Sequence, residues 1–311
     1  MQRLIRRSRY DRHSLRLQST AMSQSFQQTH PLHLRIDSLD DPRLDVYRHL
    51  KKKNENRRED LLVAEGTTVV ERLLRSDYVV RSVLVTDPKF ANFQSRLTPD
   101  VVVHRVTRDL ASQLVGFEFH LGVLAVAERK PTPLIQNVVP ASGSSLILLG
   151  DHITDQQNVG LLIRIAAAFG ADAVVFSRGS TDPFSRRVMR VSMANNLLLP
   201  VIEARDTETV LDQLNRLNYT PCATVLDEAA TALEDFSFPE RTVLVFGNEA
   251  HGIASSLISR CNTRLTVPML NGTDSLNVSI AAGIFCHTYR SQHRHAPIDG
   301  KRQEQQQPII T

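Results

Sequence analysis

The sequence predicts an α/β protein whose second half is built on a parallel sheet, and three observations carry that reading. Short, almost wholly apolar runs such as Leu146 to Leu149 and Val243 to Phe246 recur there, as strands buried on both faces require. Segments with apolar positions at helical spacing separate these runs, which is the alternation of a doubly wound sheet. Two of the strands also stop abruptly. One ends at Gly247-Asn248-Glu249, with Gly252 following; the other, Leu265 to Val267, ends at Pro268 and the polar loop Asn271-Gly272-Thr273-Asp274. Such turns leave backbone N–H and C=O groups unpaired and allow close approach, which a pocket for a small polar ligand needs.

In chain order, the first 22 residues hold six arginines against one acid, Asp11. That composition suits a mitochondrial presequence. It equally suits an over-extended start, with Met22 as the initiator, or a basic arm. On either reading residues 1–39 are expected to stay outside the folded domains. From Asp40 the pattern becomes foldable. Pro42 to Leu50 reads as a short helix, and Lys51 to Arg58 as a basic run that is either a solvated loop or an RNA contact. Leu61 to Ala64 is a strand, and Glu65-Gly66 turns the chain into a helix marked by Val69, Val70, Leu73 and Leu74. Val79 to Val85 and Val101 to Val106 are further strands. Thr107 caps a helix that Gly116 ends, and Gly122 to Ala127 closes the unit. This alternation predicts a small α/β domain over residues 40–129, with the Pro- and Ser-Gly-rich stretch 130–145 as a linker.

The larger domain, expected over 146–295, continues the rhythm. A helix from Asn158 to Phe169 follows the first strand. Then come strand Ala173 to Phe176, helix Ser185 to Asn195, strand Leu197 to Ile202, a helix through Val210, Leu211, Leu214 and Leu217, and strand Cys222 to Leu226. Ser275 is placed to cap a last helix carrying Leu276, Val278, Ile280 and Ala281. Residues 296–311 read as a polar tail.

Composition narrows the function class. A net charge of +4 permits an anionic partner without demanding one. No apolar run is long enough to span a bilayer, so no membrane partner is expected. Cys222, Cys261 and Cys286 form no CxxC pair, and no spacing around Asp155, His152 and His251 supports a metal, so none is expected. The three thiols fit a reducing compartment. The cytoplasm is expected, or the mitochondrial matrix if residues 1–22 are a presequence.

Three motifs then occur in order. Asn158 and Arg164 stand six residues apart in DQQNVGLLIRIAAAFGA; Gly247 to Ile253 reads GNEAHGI; Val267 to Ser279 reads VPMLNGTDSLNVS. Together they resemble the SpoU (TrmH-like) branch of the SPOUT RNA methyltransferases. The resemblance covers roughly 144–290 and, less firmly, 40–128. It implies a C-terminal trefoil knot, which brings the second and third motifs side by side. It also implies a front domain similar to a kink-turn-binding ribosomal protein, a homodimer through the methyltransferase domain, and S-adenosylmethionine as cofactor. The acceptor it implies is the 2′-hydroxyl of a structured RNA, ribosomal RNA favoured over tRNA.

The resemblance places Gly247, Val267 and Leu276 at the cofactor, with Leu226, Gly252 and Met269 in the same pocket. It makes Arg164, Asn158, Glu249, Ser275 and Asn277 the catalytic set. Asn271 departs from the family pattern, which often has Gly there, but Asn tolerates positive φ. Arginine is almost always protonated, so Arg164 is easier to read as a phosphate anchor than as a base. Its surroundings, Leu161, Leu162, Ile163, Ile165 and Ala166, predict a helix apolar nearly all round, where a charge needs an assigned partner. Asn158 can serve as N-cap as well as positioning group. Arg178, Arg186, Arg187 and Arg190 are either an RNA grip or a solvated face. The competing class is a non-catalytic RNA-binding protein that kept the fold; the intact catalytic set speaks against it. A nucleotide-binding oxidoreductase is excluded by the lack of GxGxxG after any strand.

Overall fold

The computed structural model describes residues 32–48, 61–271 and 273–293. The first 31 residues, the run Lys51 to Arg58, Gly272 and the tail from 294 fall outside the described residues. The front unit comprises β1 (Leu32–Arg35), a 3-10 helix (Pro42–Tyr47), β2 (Leu61–Glu65), α1 (Thr67–Leu74), β3 (Val80–Thr86), α2 (Asp87–Phe93), β4 (Val102–Val106), α3 (Arg108–Val115) and β5 (Val123–Glu128). Its five strands lie in the order β1-β4-β3-β5-β2. β1, β4 and β3 are parallel, and β5 runs antiparallel to β3 and β2.

The period of two along these strands splits the core. Val83, Val85, Ala125 and Ala127 face α1 and α2, while Leu84, Leu124 and Val126 face α3 and the 3-10 helix. Thr107 Oγ1 accepts from Leu110 N, and Gly116 ends α3 at φ +80°. β1 corrects the expectation for residues 1–39. Leu32–Arg35 pair with β4, and Ile36 is buried behind them. The alternation Leu32-His33-Leu34-Arg35-Ile36 is that of an edge strand, and the arginine-rich run before it masked the signal. α2 is a further element beyond the sequence reading.

The second unit comprises α4 (Ile135–Val138), β6 (Ser145–Gly150), α5 (Gln156–Ala168), β7 (Ala173–Ser177), α6 (Arg186–Val191), β8 (Val201–Ala204) and α7 (Thr207–Arg216), continuing with β9 (Thr220–Thr224), β10 (Thr231–Ala232), β11 (Arg241–Phe246), α8 (Ser255–Ile258), β12 (Thr263–Thr266) and α9 (Val278–Gln292). Its strands form one sheet in the order β10-β12-β9-β11-β6-β7-β8, every neighbouring pair parallel. α5, α6 and α9 cover one face, packing on Leu146, Leu148, Val174, Leu244 and Phe246. α4, α7 and α8 cover the other, packing on Ile147, Leu149, Val175, Val243 and Val245. β8 begins later than expected, because Met193 and Ala194 take φ +55° and +60° and a 3-10 turn occupies Asn195–Leu197. The chain leaves β6 toward β7 on one side, while β11 returns to its other side. Ligands of open parallel sheets gather at such a switch point, beyond the C-terminal strand ends.

The two units share a packed seam. Met189, Ala194 and Leu197 sit in one cluster with Leu62, Val69 and Leu73. Glu65, buried at the end of β2, accepts from Arg186 Nη1 at 2.9 Å and Arg190 Nη1 at 3.3 Å, and the Arg186 guanidinium lies over the Phe117 ring. Arg129 forks onto Asp182 at 2.8 and 3.0 Å and also reaches Glu203. Arg186 and Arg190 therefore meet one buried carboxylate across the seam, while Arg190, Arg178 and Arg187 remain exposed.

Candidate active site

The site is assembled from the loops after β6, β11 and β12 and the first turns of α5 and α9. After β6 the chain runs through Asp151 and His152 to Asp155, whose Oδ1 accepts from Gln157 N and Asn158 N. Asp155, not Asn158, is thus the N-cap of α5, which frees the Asn158 amide for other partners. Asn158 is 6% exposed. Its Nδ2 donates to Glu249 Oε1 at 2.6 Å, and its Oδ1 accepts from Asn277 Nδ2 at 2.9 Å and lies 3.3 Å from Ser279 Oγ. Ser279 Oγ is closer to Asn277 Oδ1, at 2.5 Å. One buried amide therefore ties together the three segments that the motifs supplied, with donors and acceptors matched.

Glu249 stands on the turn after β11. Gly247 begins that turn, and a Cβ there would lie 2.2 Å from the Gly252 carbonyl carbon and 2.3 Å from Ile253 N, so only glycine fits. Asn248 and Gly252 pair as a small antiparallel bridge, and Gly252 has φ +68°. Asn248 Oδ1 accepts from Ala250 N and His251 N. On the third loop Asn271 sits at φ +57°, the conformation that Asn accommodates. Asn277, not Ser275, caps α9, accepting from Ser279 N at 2.9 Å; the helix starts at Val278, and Ser275 is exposed ahead of it. The apolar positions Leu276 and Val278 had drawn the expected start two residues too early.

The C-terminal ends of β11, β9 and β12 lie side by side, through the pairs Val245↔Ala223 and Thr224↔Leu265. Gly247, Leu226 and Val267 follow those ends. Leu226 and, three residues past Val267, Leu270 are 66% and 77% exposed, although both are large and apolar. Gly247, Gly252, Val267, Met269, Leu276 and Leu226, the expected cofactor cradle, all lie on the segments that follow these strand ends.

Arg164 stands apart from this cluster. Six residues along a helix displace a side chain by about 9 Å and about 120° from Asn158. Arg164 is exposed, and no hydrogen bond or ion pair is found for it among the described residues. The expectation of an apolar surround is corrected: Leu162, Ile163 and Ala166 are buried, while Leu161, Arg164, Ile165 and Ala168 form the outward stripe. Beside that stripe a groove of ≈ 600 Å³ runs between α5 and α9, lined by apolar Leu161, Ile165 and Ile280 with Gly283, and by polar groups that include Asp155, Asn158, Asn277 and Ser279. None of the cradle residues lines it.

The thiols of Cys222 and Cys286, both buried, and of half-buried Cys261 are each pushed up to about 12 by desolvation, which keeps them protonated. Among the described residues no group of three or more His, Cys, Asp or Glu is placed to hold a metal ion, and no helix is long and apolar enough to cross a membrane. Sequence reasoning gave no role to Ser279, Asn248 and Asp151, and considered His152 only as a metal ligand. A polar pair directly after an apolar strand, and the final Ser of SLNVS, were the available signals.

Comparison with known proteins places this arrangement. The model of the SpoU rRNA Methylase family matches residues 145–287, the span holding all three motifs. An uncharacterized tRNA/rRNA methyltransferase of Mycobacterium tuberculosis is 36% identical over 273 residues, covering 83% of this chain and 92% of that protein. A 23S rRNA (guanosine(2553)-2'-O)-methyltransferase of Bacillus subtilis is 27% identical over 255 residues, covering 82% and 98%. Among solved structures, an AdoMet-bound rRNA methyltransferase from Sinorhizobium meliloti superposes with a TM-score of 0.70 at 23% identity, over 85% of this chain and 99% of that one, a likeness of fold. With the motif residues in one network and a relative matched along most of its length, the chain belongs to the SpoU rRNA methylase family.

Proposed function

We infer that this protein is an S-adenosylmethionine-dependent RNA methyltransferase that modifies a ribose 2′-hydroxyl, with ribosomal RNA as the favoured substrate and tRNA as the other. The carrying observation is the Glu249–Asn158–Asn277 network, which joins the three motif segments through one buried amide. The names of the relatives supply the substrate class: the Bacillus subtilis protein is named for 2′-O-methylation of 23S rRNA.

The cofactor supplies a methyl group on a positively charged sulfur. The charge disappears as the group moves, so the protein's task is alignment. The turn at Gly247 and Gly252 and the segment from Val267 to Leu276 would hold the cofactor through backbone groups, with Met269 and Leu226 alongside. Asn158 fixes Glu249 and the start of α9 at the edge of that cradle. Arg164 is assigned to the RNA: a planar, permanently charged fork suits a phosphate, and its freedom from internal partners leaves it available.

The finer architecture belongs to the same reading. Residues after β11 would thread to form a knot; the return of α9 onto α5, next to the β11 turn, supports it. The front unit would bind kinked RNA ahead of the methyltransferase domain. Two copies would pair across α5 and α9, where Leu161, Ile165, Ile280 (56% exposed) and Ile284 (36% exposed) leave an uncovered apolar strip. That pairing would leave Arg164 at the rim of the joint, open to the RNA. The cytoplasm is the proposed location. The reading is tested by incubating the protein with methyl-labelled cofactor and total RNA, then mapping the label. Label on a base, or no transfer to any RNA, would overturn it.

A further inference from the structure

The reaction needs an acceptor for the 2′-hydroxyl proton, and the network described so far holds one carboxylate, Glu249, whose Oε1 is taken by Asn158 Nδ2. Arginine is a poor base, and Asn158, Asn277 and Ser279 are neutral. One imidazole in this region is built as a base would be. His152 Nδ1 lies 2.7 Å from Asp151 Oδ1, on a carboxylate whose side chain is 3% exposed, while the His152 side chain is 59% exposed. The other Asp151 oxygen, Oδ2, accepts from Ala254 N at 3.0 Å. With Nδ1 donating to the buried carboxylate, the neutral ring keeps its free electron pair on Nε2.

The position is over-determined. His152 has φ +52°, costly for a residue with a Cβ. Its N–H donates to Ser177 Oγ at 2.7 Å, its carbonyl accepts from Asn248 Nδ2 at 2.7 Å, and the next residue, Ile153, donates to Ser180 Oγ at 3.0 Å. The ring packs over Gly179, where a Cβ would lie 2.1 Å from Cδ2 and 2.5 Å from Nε2. Asp151 and His152 thus clamp the β11 turn from one side, and Asn158 clamps it through Glu249 from the other. The other ionisable groups on these segments are Arg178 after β7, Glu249 and His251 on the β11 turn, and Asp155. His251 is exposed at the tip of the turn, and no hydrogen bond of its ring is found among the described residues.

We propose that His152, oriented by Asp151, takes the proton of the acceptor 2′-hydroxyl. This rests on the ribose-methylation reading above. As the ribose oxygen forms its bond to the methyl carbon, the carbon–sulfur pair returns to sulfur, leaving a neutral thioether. The O–H pair stays on oxygen, the proton passes to Nε2, and the imidazolium is held by Asp151 until water removes the proton.

The test uses His152→Gly, which also relieves the positive φ and leaves a ring-sized space. Single-turnover transfer from labelled cofactor is measured against pH with the full-length protein and the mapped RNA. Wild-type transfer should fall on the acid side, where the imidazole is protonated. His152→Gly should be slower by roughly 100-fold at neutral pH, lose that acid limb, and bind RNA and cofactor as before. Added imidazole should restore transfer in proportion to its concentration. Gly179→Ala, which displaces the ring, should show a milder loss of the same kind. A His152→Gly rate equal to wild type overturns the proposal; so does a slow rate that imidazole does not raise, which marks a structural role only. No transfer by wild type would instead overturn the methyltransferase reading.

Discussion

Asn158 and Arg164 belong to one motif, yet they do different work, and burial decides which. Asn158 is inside and fully partnered; Arg164 is outside, with no partner found among the described residues. Arg164→Ala should therefore cost less than about 0.5 kcal/mol of stability, as at other exposed sites. Methyl transfer should fall by roughly 100-fold or more, with Arg164→Lys recovering little, because a point charge cannot fork across phosphate oxygens. Single-turnover kinetics beside a denaturation curve checks both halves; transfer at the wild-type rate would remove Arg164 from the chemistry. A second residue predicts a pH effect on stability. His104 is buried with its Nδ1 unpaired, and its pKa is lowered, first by burial and then by Arg43, with Asp41 opposing. The folded state thus resists protonation more than the unfolded chain does. Stability should be complete above the unfolded pKa of about 6.5 and should fall as pH drops below it, by at most about 1.4 kcal/mol per pH unit for this proton. Urea midpoints at pH 7.5 and 5.5 for wild type and His104→Phe should show a smaller difference in the variant.

Elements were legible where one residue carries a local rule. Thr107 and Gly116 bracket α3 as a cap and a positive-φ stop, and Val243 to Phe246 lie within β11. Ends governed by side chains that compete for the same backbone groups were not. Asp155 displaced Asn158 as a cap, and Asn277 displaced Ser275, in each case because a neighbouring carbonyl oxygen or carboxylate reached the helix N–H groups first. Arg186 and Arg190 were illegible for a different reason: their partner, Glu65, is more than a hundred residues away in sequence. The cost of that pairing can be read out. Glu65→Gln would leave two guanidinium groups at a closed seam, and removal of one partner from a buried pair costs about 3–5 kcal/mol. Unfolding in urea should report a loss at the low end of that range, since Arg190 is half exposed. Gly160→Ala tests the adjacent contact, because its Cβ would meet Val191 Cβ at 2.6 Å and force α6 away from α5. A loss of about 1–3 kcal/mol is expected, the ordinary cost of overpacking.

For the whole molecule, the three motif segments come together, since GNEAHGI and SLNVS sit on the two loops that Asn158 joins. What they could not convey is how firmly the two sheets are docked. Met189, Ala194 and Leu197 are buried by the front unit, so a chain cut near Ser144 would expose an apolar face and strand Arg186. The front unit is then part of the folded body and not an appendage that can be removed without loss. The pairing proposed for two copies rests on the uncovered strip of α5 and α9. Light scattering at micromolar concentration should give the mass of two chains, and Ile280→Lys should give one; a wild-type monomer would contradict the pairing proposed for α5 and α9. One buried amide, that of Asn158, joins the three motif segments. The most direct measurement compares wild type and Asn158→Ala for transfer of labelled methyl to total RNA, with the labelled nucleotide mapped. Wild type should place the label on a ribose 2′-oxygen, and the folded variant should transfer at least about 100-fold more slowly. Equal transfer by the variant, or label found anywhere but a ribose oxygen, would contradict it.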